Sequence, residues 1–132
     1  MPSMANITVK KNDGTTDVTY TAVVPSAGDK SPAVWRNNSM GSAPAHRTEF
    51  SIQSLWNGPR TARKVTGKFM YPVTAVGTDG KTNIVDRGWL TFEGIVPQTM
   101  ADADINELVS QSANLIGATL IKDSLKTGYA PT

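Results

Sequence analysis

With 132 residues, the chain is sized for one domain, residues 1–132, long enough to bury an ordinary apolar core. It holds 0 Cys, which excludes a disulfide framework, a thiolate metal site and a cysteine nucleophile. Hydrophobic residues make up 39% and charged residues 18%, a globular composition, and 13 Lys+Arg against 11 Asp+Glu leave a net charge of +2. That balance permits a polyanion partner without demanding one, so the placement of the charges has to decide.

No apolar run approaches a membrane span, and no membrane partner is expected. The amino end, Met1 to Asn6, lacks the charged and apolar blocks of a secretory signal, so cytoplasmic synthesis is the expectation. Met1 and Met4 are two candidate first residues. The single His46 leaves little room for histidine catalysis, because a triad needs an oriented partner on each side of the ring.

Up to about Val96 the chain reads as strands and turns. Asn6 to Lys11 is a short strand, Asn12-Asp13-Gly14 a tight turn, and Thr15 to Val24 the returning strand. A polar loop, Pro25 to Pro32, leads to a short strand, Ala33 to Asn37, and a second loop, Asn38 to Pro44. Arg47 to Leu55 alternates, with Phe50 and Ile52 on one side and Glu49, Ser51 and Gln53 on the other. Trp56 to Pro59 is a turn. Ala62 to Tyr71 alternates again, Val65, Gly67, Phe69 and Tyr71 against Lys64, Thr66, Lys68 and Met70, until Pro72 ends or bends the strand. Val73 to Asn83 reads as a mobile loop or loose hairpin. Ile84 to Val96 places Leu90, Phe92, Gly94 and Val96 opposite Arg87, Trp89, Thr91 and Glu93.

After Pro97 the period becomes helical. Thr99 can cap a helix whose first turn carries Asp102 and Asp104, where the helix dipole favours negative charge. Ile105, Leu108 and Val109 follow helical spacing, and Leu120, Ile121 and Leu125 suggest a second short helix stopped at Gly128. Strands first and helices last make an α+β plan, with helices on one face of an antiparallel sheet and polar side chains on the other.

That polar face carries the chemistry. Lys64, Thr66 and Lys68 project the same way, as do Glu49, Ser51 and Gln53, and Arg87, Trp89 and Thr91. Were these strands neighbours, cations that neutralise phosphates would lie beside hydroxyls, amides and an exposed ring on which an unpaired base can stack. The same pattern also suits any solvated sheet face, where Lys guards against edge aggregation and Trp can lie in a protein interface. No catalytic set, metal site or cofactor is expected. Helix-end charge accounts for Asp102 and Asp104, Glu49 and Glu93 are single carboxylates without an obvious partner, and no phosphate-binding Gly-rich loop precedes a helix. A cellular single-stranded nucleic-acid-binding module, and a hydrolase or sugar-binding domain using Glu49 and Glu93, are the rival classes.

The order of the pieces resembles the coat proteins of single-stranded RNA bacteriophages over nearly the whole length. The matching pieces are Ala33-Val34-Trp35, Phe50 to Ser54, Lys64-Val65-Thr66-Gly67-Lys68 followed by Tyr71-Pro72, and Trp89 to Glu93 leading to Pro97. The resemblance implies an amino-terminal hairpin, a five-stranded antiparallel sheet and two helices. Two copies would join sheets edge to edge and cross helices into an intertwined homodimer, the unit of an icosahedral shell in the virion, assembled in the bacterial host cytoplasm. The other sheet face would meet genomic RNA, including a stem-loop at the replicase start whose binding represses translation. The resemblance carries RNA contact to Arg47, Ser51, Lys64, Thr66, Lys68, Trp89 and Thr91, with Arg87 beside them. Gln53 stands where the family has a basic residue and Glu49 where it has a small hydroxyl, two departures that remove positive charge. Ile105, Leu108, Val109 and Leu120 are candidates for the dimer contact, with packing inside one subunit as the alternative, and the Val73 to Asn83 loop would sit at the shell's symmetry axes.

Overall fold

The computed structural model describes residues 2–41 and 43–132. Met1, one of the two candidate first residues, and Ser42, in the predicted loop from Asn38 to Pro44, lie outside the described residues. Six strands form one sheet in chain order: β1 (Ile7–Lys10), β2 (Asp17–Val24), β3 (Ala33–Arg36), β4 (Glu49–Trp56), β5 (Ala62–Val76) and β6 (Thr82–Pro97). Two helices follow, α1 (Asp102–Ile116) and α2 (Thr119–Thr127). The six segments read from alternation are the six strands. The sheet has six strands where the family pattern gives five, because the amino-terminal hairpin, β1 and β2, belongs to the same sheet as the rest. The chain divides into two compact units, one up to Ile95 and one from Val96 to Thr132.

In the first unit the turns explain the strand pairing. At the β1–β2 turn the Asp13 carboxylate accepts hydrogen bonds from the Thr16 hydroxyl (2.5 Å) and from the backbone N–H groups of Thr15 and Thr16 (2.9 Å each). Those donors, led by the Thr16 hydroxyl, lower its pKa from 3.8 to about 2. Between β4 and β5 the Asn57 side chain does the same work, its Oδ1 accepting from the Thr61 and Ala62 N–H groups and its Nδ2 donating to Thr61 Oγ1. The loop after β2 is tied to this end of the sheet. Arg63 donates to both oxygens of Asp29 (2.7 and 3.0 Å) while its guanidinium lies 4.7 Å from the Trp56 ring centre. The Arg63 hydrogen bond holds the Asp29 carboxyl below its ordinary value.

Strand pairing fixes which residues share a face. Trp35 stands opposite Phe50, which stands opposite Phe69, and Ile52 opposite Gly67. This face is aromatic: Trp35 and Phe50 ring centres are 5.6 Å apart, Phe50 and Phe92 stack at 6.3 Å, and Tyr20 meets Phe69 edge-on at 6.1 Å. The Trp35 ring nitrogen donates to the Ala5 carbonyl (2.8 Å), laying the amino end across this face.

Two expectations need correction. Pro72 does not end β5: it is fully buried inside a strand that continues to Val76. β4 begins only at Glu49, opposite Met70, so β5 has passed its β4 partner before Pro72 arrives and no bond on that side is lost. Of the two readings of Val73 to Asn83, a mobile loop or a loose hairpin, the hairpin holds, but its turn shrinks to residues 77–81, closed by Gly77 N–H to the Lys81 carbonyl (2.8 Å). Val73, Thr74, Val76, Thr82 and Ile84 are β-branched and extend both strands.

In the second unit α1 starts at Asp102 with Ala101, not Thr99, at the N-cap, while Asp102 and Asp104 occupy the first turn as charge complements. Gly128 ends α2 in the left-handed conformation (φ 80°), which a residue without Cβ adopts freely. Neither helix contains a buried residue. Among the described residues no helix is long and apolar enough to cross a membrane.

Candidate nucleic-acid interface

The remaining sheet face is polar and is built from four adjacent strands. Arg36 pairs across with Glu49, Val34 with Ser51, Ser51 with Lys68, Gln53 with Thr66, and Leu55 with Lys64. β6 joins the face through two contacts: Lys64 Nζ lies 3.2 Å from Glu93 Oε2, and Lys68 Nζ lies 5.8 Å from the Trp89 ring centre. Since side chains alternate along a strand, Arg87 and Thr91 share the side of Trp89 and Glu93. The structure therefore brings together Glu49, Ser51, Gln53, Lys64, Thr66, Lys68, Arg87, Trp89 and Thr91. Arg47 stands just outside, capping a short 3₁₀ turn (Pro44–His46) before β4 and donating to Asn38 Oδ1 (3.3 Å).

Exposure differs along the face. Ser51, Gln53, Lys64 and Thr66 are half-buried, whereas Lys68, Arg87 and Thr91 are exposed and the Trp89 ring is 57% exposed. A large ring held open to solvent beside a cation offers an apolar plane and a positive charge within one nucleotide's reach. Thr66 and Ser51 hydroxyls and the Gln53 amide surround it with hydrogen-bonding groups able to meet base edges and ribose.

Reading the residues alone missed Arg36. Its guanidinium Nη2 donates to Glu49 Oε2 at 3.1 Å, and among the described residues its buried Nε has no hydrogen-bond partner. The signal was present in Ala33-Val34-Trp35-Arg36, since placing Trp35 on the aromatic face puts Arg36 on the other. Glu49 and Glu93 are likewise not lone carboxylates: each holds a cation. They stand on β4 and β6 with β5 between, and their partners on β5, Met70 opposite Glu49 and Lys64 beside Glu93, are six residues or roughly 20 Å apart along the strand. Two glycosidase carboxyls need about 5–9.5 Å, so these two do not form an acid–base pair. Among the described residues the buried His46 Nδ1 has no hydrogen-bond partner, so no acid at that nitrogen orients the ring as a triad requires. Among the described residues no group of three or more His, Asp or Glu side chains could hold a metal ion.

No protein-family model matches the chain, and no curated protein matches it. Solved structures do. The virus-like particle of bacteriophage NT-214 superposes with a TM-score of 0.84 at 17% identity, covering 99% of this chain and 100% of that one. The virus-like particle of Beihai levi-like virus 21 gives 0.83 at 18% identity over 99% of both chains. The bacteriophage GA capsid protein gives 0.73 at 19% identity over 95% of both. Likeness at this level of identity speaks for architecture, and over nearly its full length the chain has the fold of an RNA-phage coat protein.

Proposed function

We propose that this chain is a structural capsid protein, without enzymatic activity, whose copies pair and assemble into an icosahedral shell around single-stranded RNA. The observation that carries the self-assembly is how little the single chain buries. Among the described apolar residues only Ala62, Gly67 and Pro72 are buried, while Val85, Leu90, Phe92, Ile95, Leu108, Val109, Leu115, Leu120 and Leu125 are all exposed. Exposed apolar surface on this scale marks an interaction surface, and β6 adds an unpaired sheet edge of 16 residues. A second copy joined at β6, with Ile105, Leu108, Val109 and Leu120 in the contact, covers both. A permanent interface of this kind is large and apolar and ties stability to protein concentration.

The polar face supports the RNA half of the proposal. Lys68 and Arg87 make no ion pair among the described residues and are free to meet phosphates, and Trp89 supplies the stacking plane. A stack on Trp89 needs an unpaired base, so a stem-loop with an exposed loop base is the preferred ligand; the family resemblance extends this to an operator that represses replicase translation. The location proposed is the virion, after assembly in the bacterial host cytoplasm.

Expression of the chain alone, followed by sizing and nuclease treatment, tests this function. Large particles that protect RNA from nuclease are expected. A small species that binds RNA without assembling would favour the cellular single-stranded nucleic-acid-binding module, and a species that neither assembles nor binds RNA would overturn both parts.

A further inference from the structure

The two ion pairs on the polar face have no counterpart in a surface built only to attract phosphate. Lys64 Nζ and Glu93 Oε2 lie 3.2 Å apart with side chains 35% and 49% exposed, and Arg36 Nη2 and Glu49 Oε2 lie 3.1 Å apart with side chains 26% and 36% exposed. Each cation is partly open on the polar face, and each already has an anion. Both pairs join neighbouring strands, β5 to β6 and β3 to β4, so the backbone ladder holds the partners in place.

We infer that Glu93 and Glu49 are internal competitors for RNA phosphate, each occupying a cation of this face so that Lys68 and Arg87 are left to make the charge contact. This rests on the RNA-binding role proposed above and adds its regulation. A phosphate reaching Lys64 has to displace Glu93. Either the exchange occurs, and its cost lowers affinity, or it does not, and Lys64 contributes no counterion release. In both cases RNA held by this face binds more weakly than its count of cations suggests, and where Glu93 stays in place the binding also depends less on salt. An exposed pair of this kind is weak in itself, so the exchange stays reversible, and binding leans on the base stacked at Trp89.

A double-mutant cycle separates this competition from a general effect of negative charge. The full-length protein, dissociated from particles, is titrated with a short single-stranded RNA over a series of salt concentrations. Glu93→Gln is expected to raise affinity about fivefold at about 0.1 M salt and to steepen the log–log salt slope by about 0.7, the increment of one added phosphate contact on a single strand. In a Lys64→Ala background the same change is expected to lose most of that gain, because no cation remains to be released. Glu49→Gln, on another strand, repeats the test through Arg36 and keeps it open should one variant fold poorly. A gain from Glu93→Gln that persists in full without Lys64, or no gain from either glutamine variant while the wild type binds, would overturn the inference and leave RNA binding standing. Failure of wild type and variants alike to bind RNA at low salt would remove both.

Discussion

Trp89→Ala is expected to weaken binding of an RNA stem-loop with an unpaired loop base by about 1–3 kcal/mol, roughly five- to 150-fold, the range of a lost base–aromatic stack. The ring is 57% exposed on a solvated sheet face, with the Lys68 ammonium 5.8 Å from its centre. A buried tryptophan would be structural; this one carries little of the fold and is open to a partner. Packaging of bulk RNA should suffer much less, because phosphate neutralisation by Lys68 and Arg87 survives the change. Gel-shift titration of the stem-loop, set beside the RNA content of assembled particles, measures the two effects. Equal loss of both, with assembly intact, would rule out stacking as the role of this ring.

Gly67→Val is expected to be the most damaging single change in the sheet. Gly67 is buried, and a Cβ added there would lie 2.0 Å from Phe92 Cζ and 2.2 Å from its Cε1. The Phe92 ring can yield only by giving up its stack on Phe50 at 6.3 Å, which in turn packs on Trp35 at 5.6 Å, or by swinging further into solvent. Overfilling a packed site of this kind costs about 1–3 kcal/mol or more, and denaturant unfolding should show it. The gentler Gly67→Ala should lose less, and pairing it with Phe92→Leu should restore part of the loss by making room. A wild-type unfolding midpoint for Gly67→Ala would contradict the geometry.

Most of the sheet was legible because alternation is a strong signal wherever one face is apolar. Phe50 and Ile52 against Ser51 and Gln53, or Val65, Gly67 and Phe69 against Lys64, Thr66 and Lys68, admit one orientation, and the pairing obeys it. The errors arose where a residue's usual meaning depends on its neighbours. Pro72 reads as a strand end, yet loses no bond to β4, which has already stopped. Gly77 and Gly80 mark a turn, but the β-branched residues flanking them belong to strands. Arg36 was hidden in a four-residue strand, too short for alternation to declare itself. The pairing of Glu93 with Lys64 depends on which residues meet across two strands, and that register is set by the turn between them rather than by either strand's own pattern. The exposed apolar positions of α1 and α2 were visible as helical stripes.

Ultraviolet cross-linking of RNA inside assembled particles, followed by mass spectrometry of the cross-linked peptides, tests most directly whether the polar sheet face meets the genome. Cross-links concentrated at residues 64–68 and 87–91, with Trp89 prominent, are the predicted result. Cross-links confined to α1, α2 or the aromatic face around Trp35 and Phe50, or particles that form without any RNA, would contradict it.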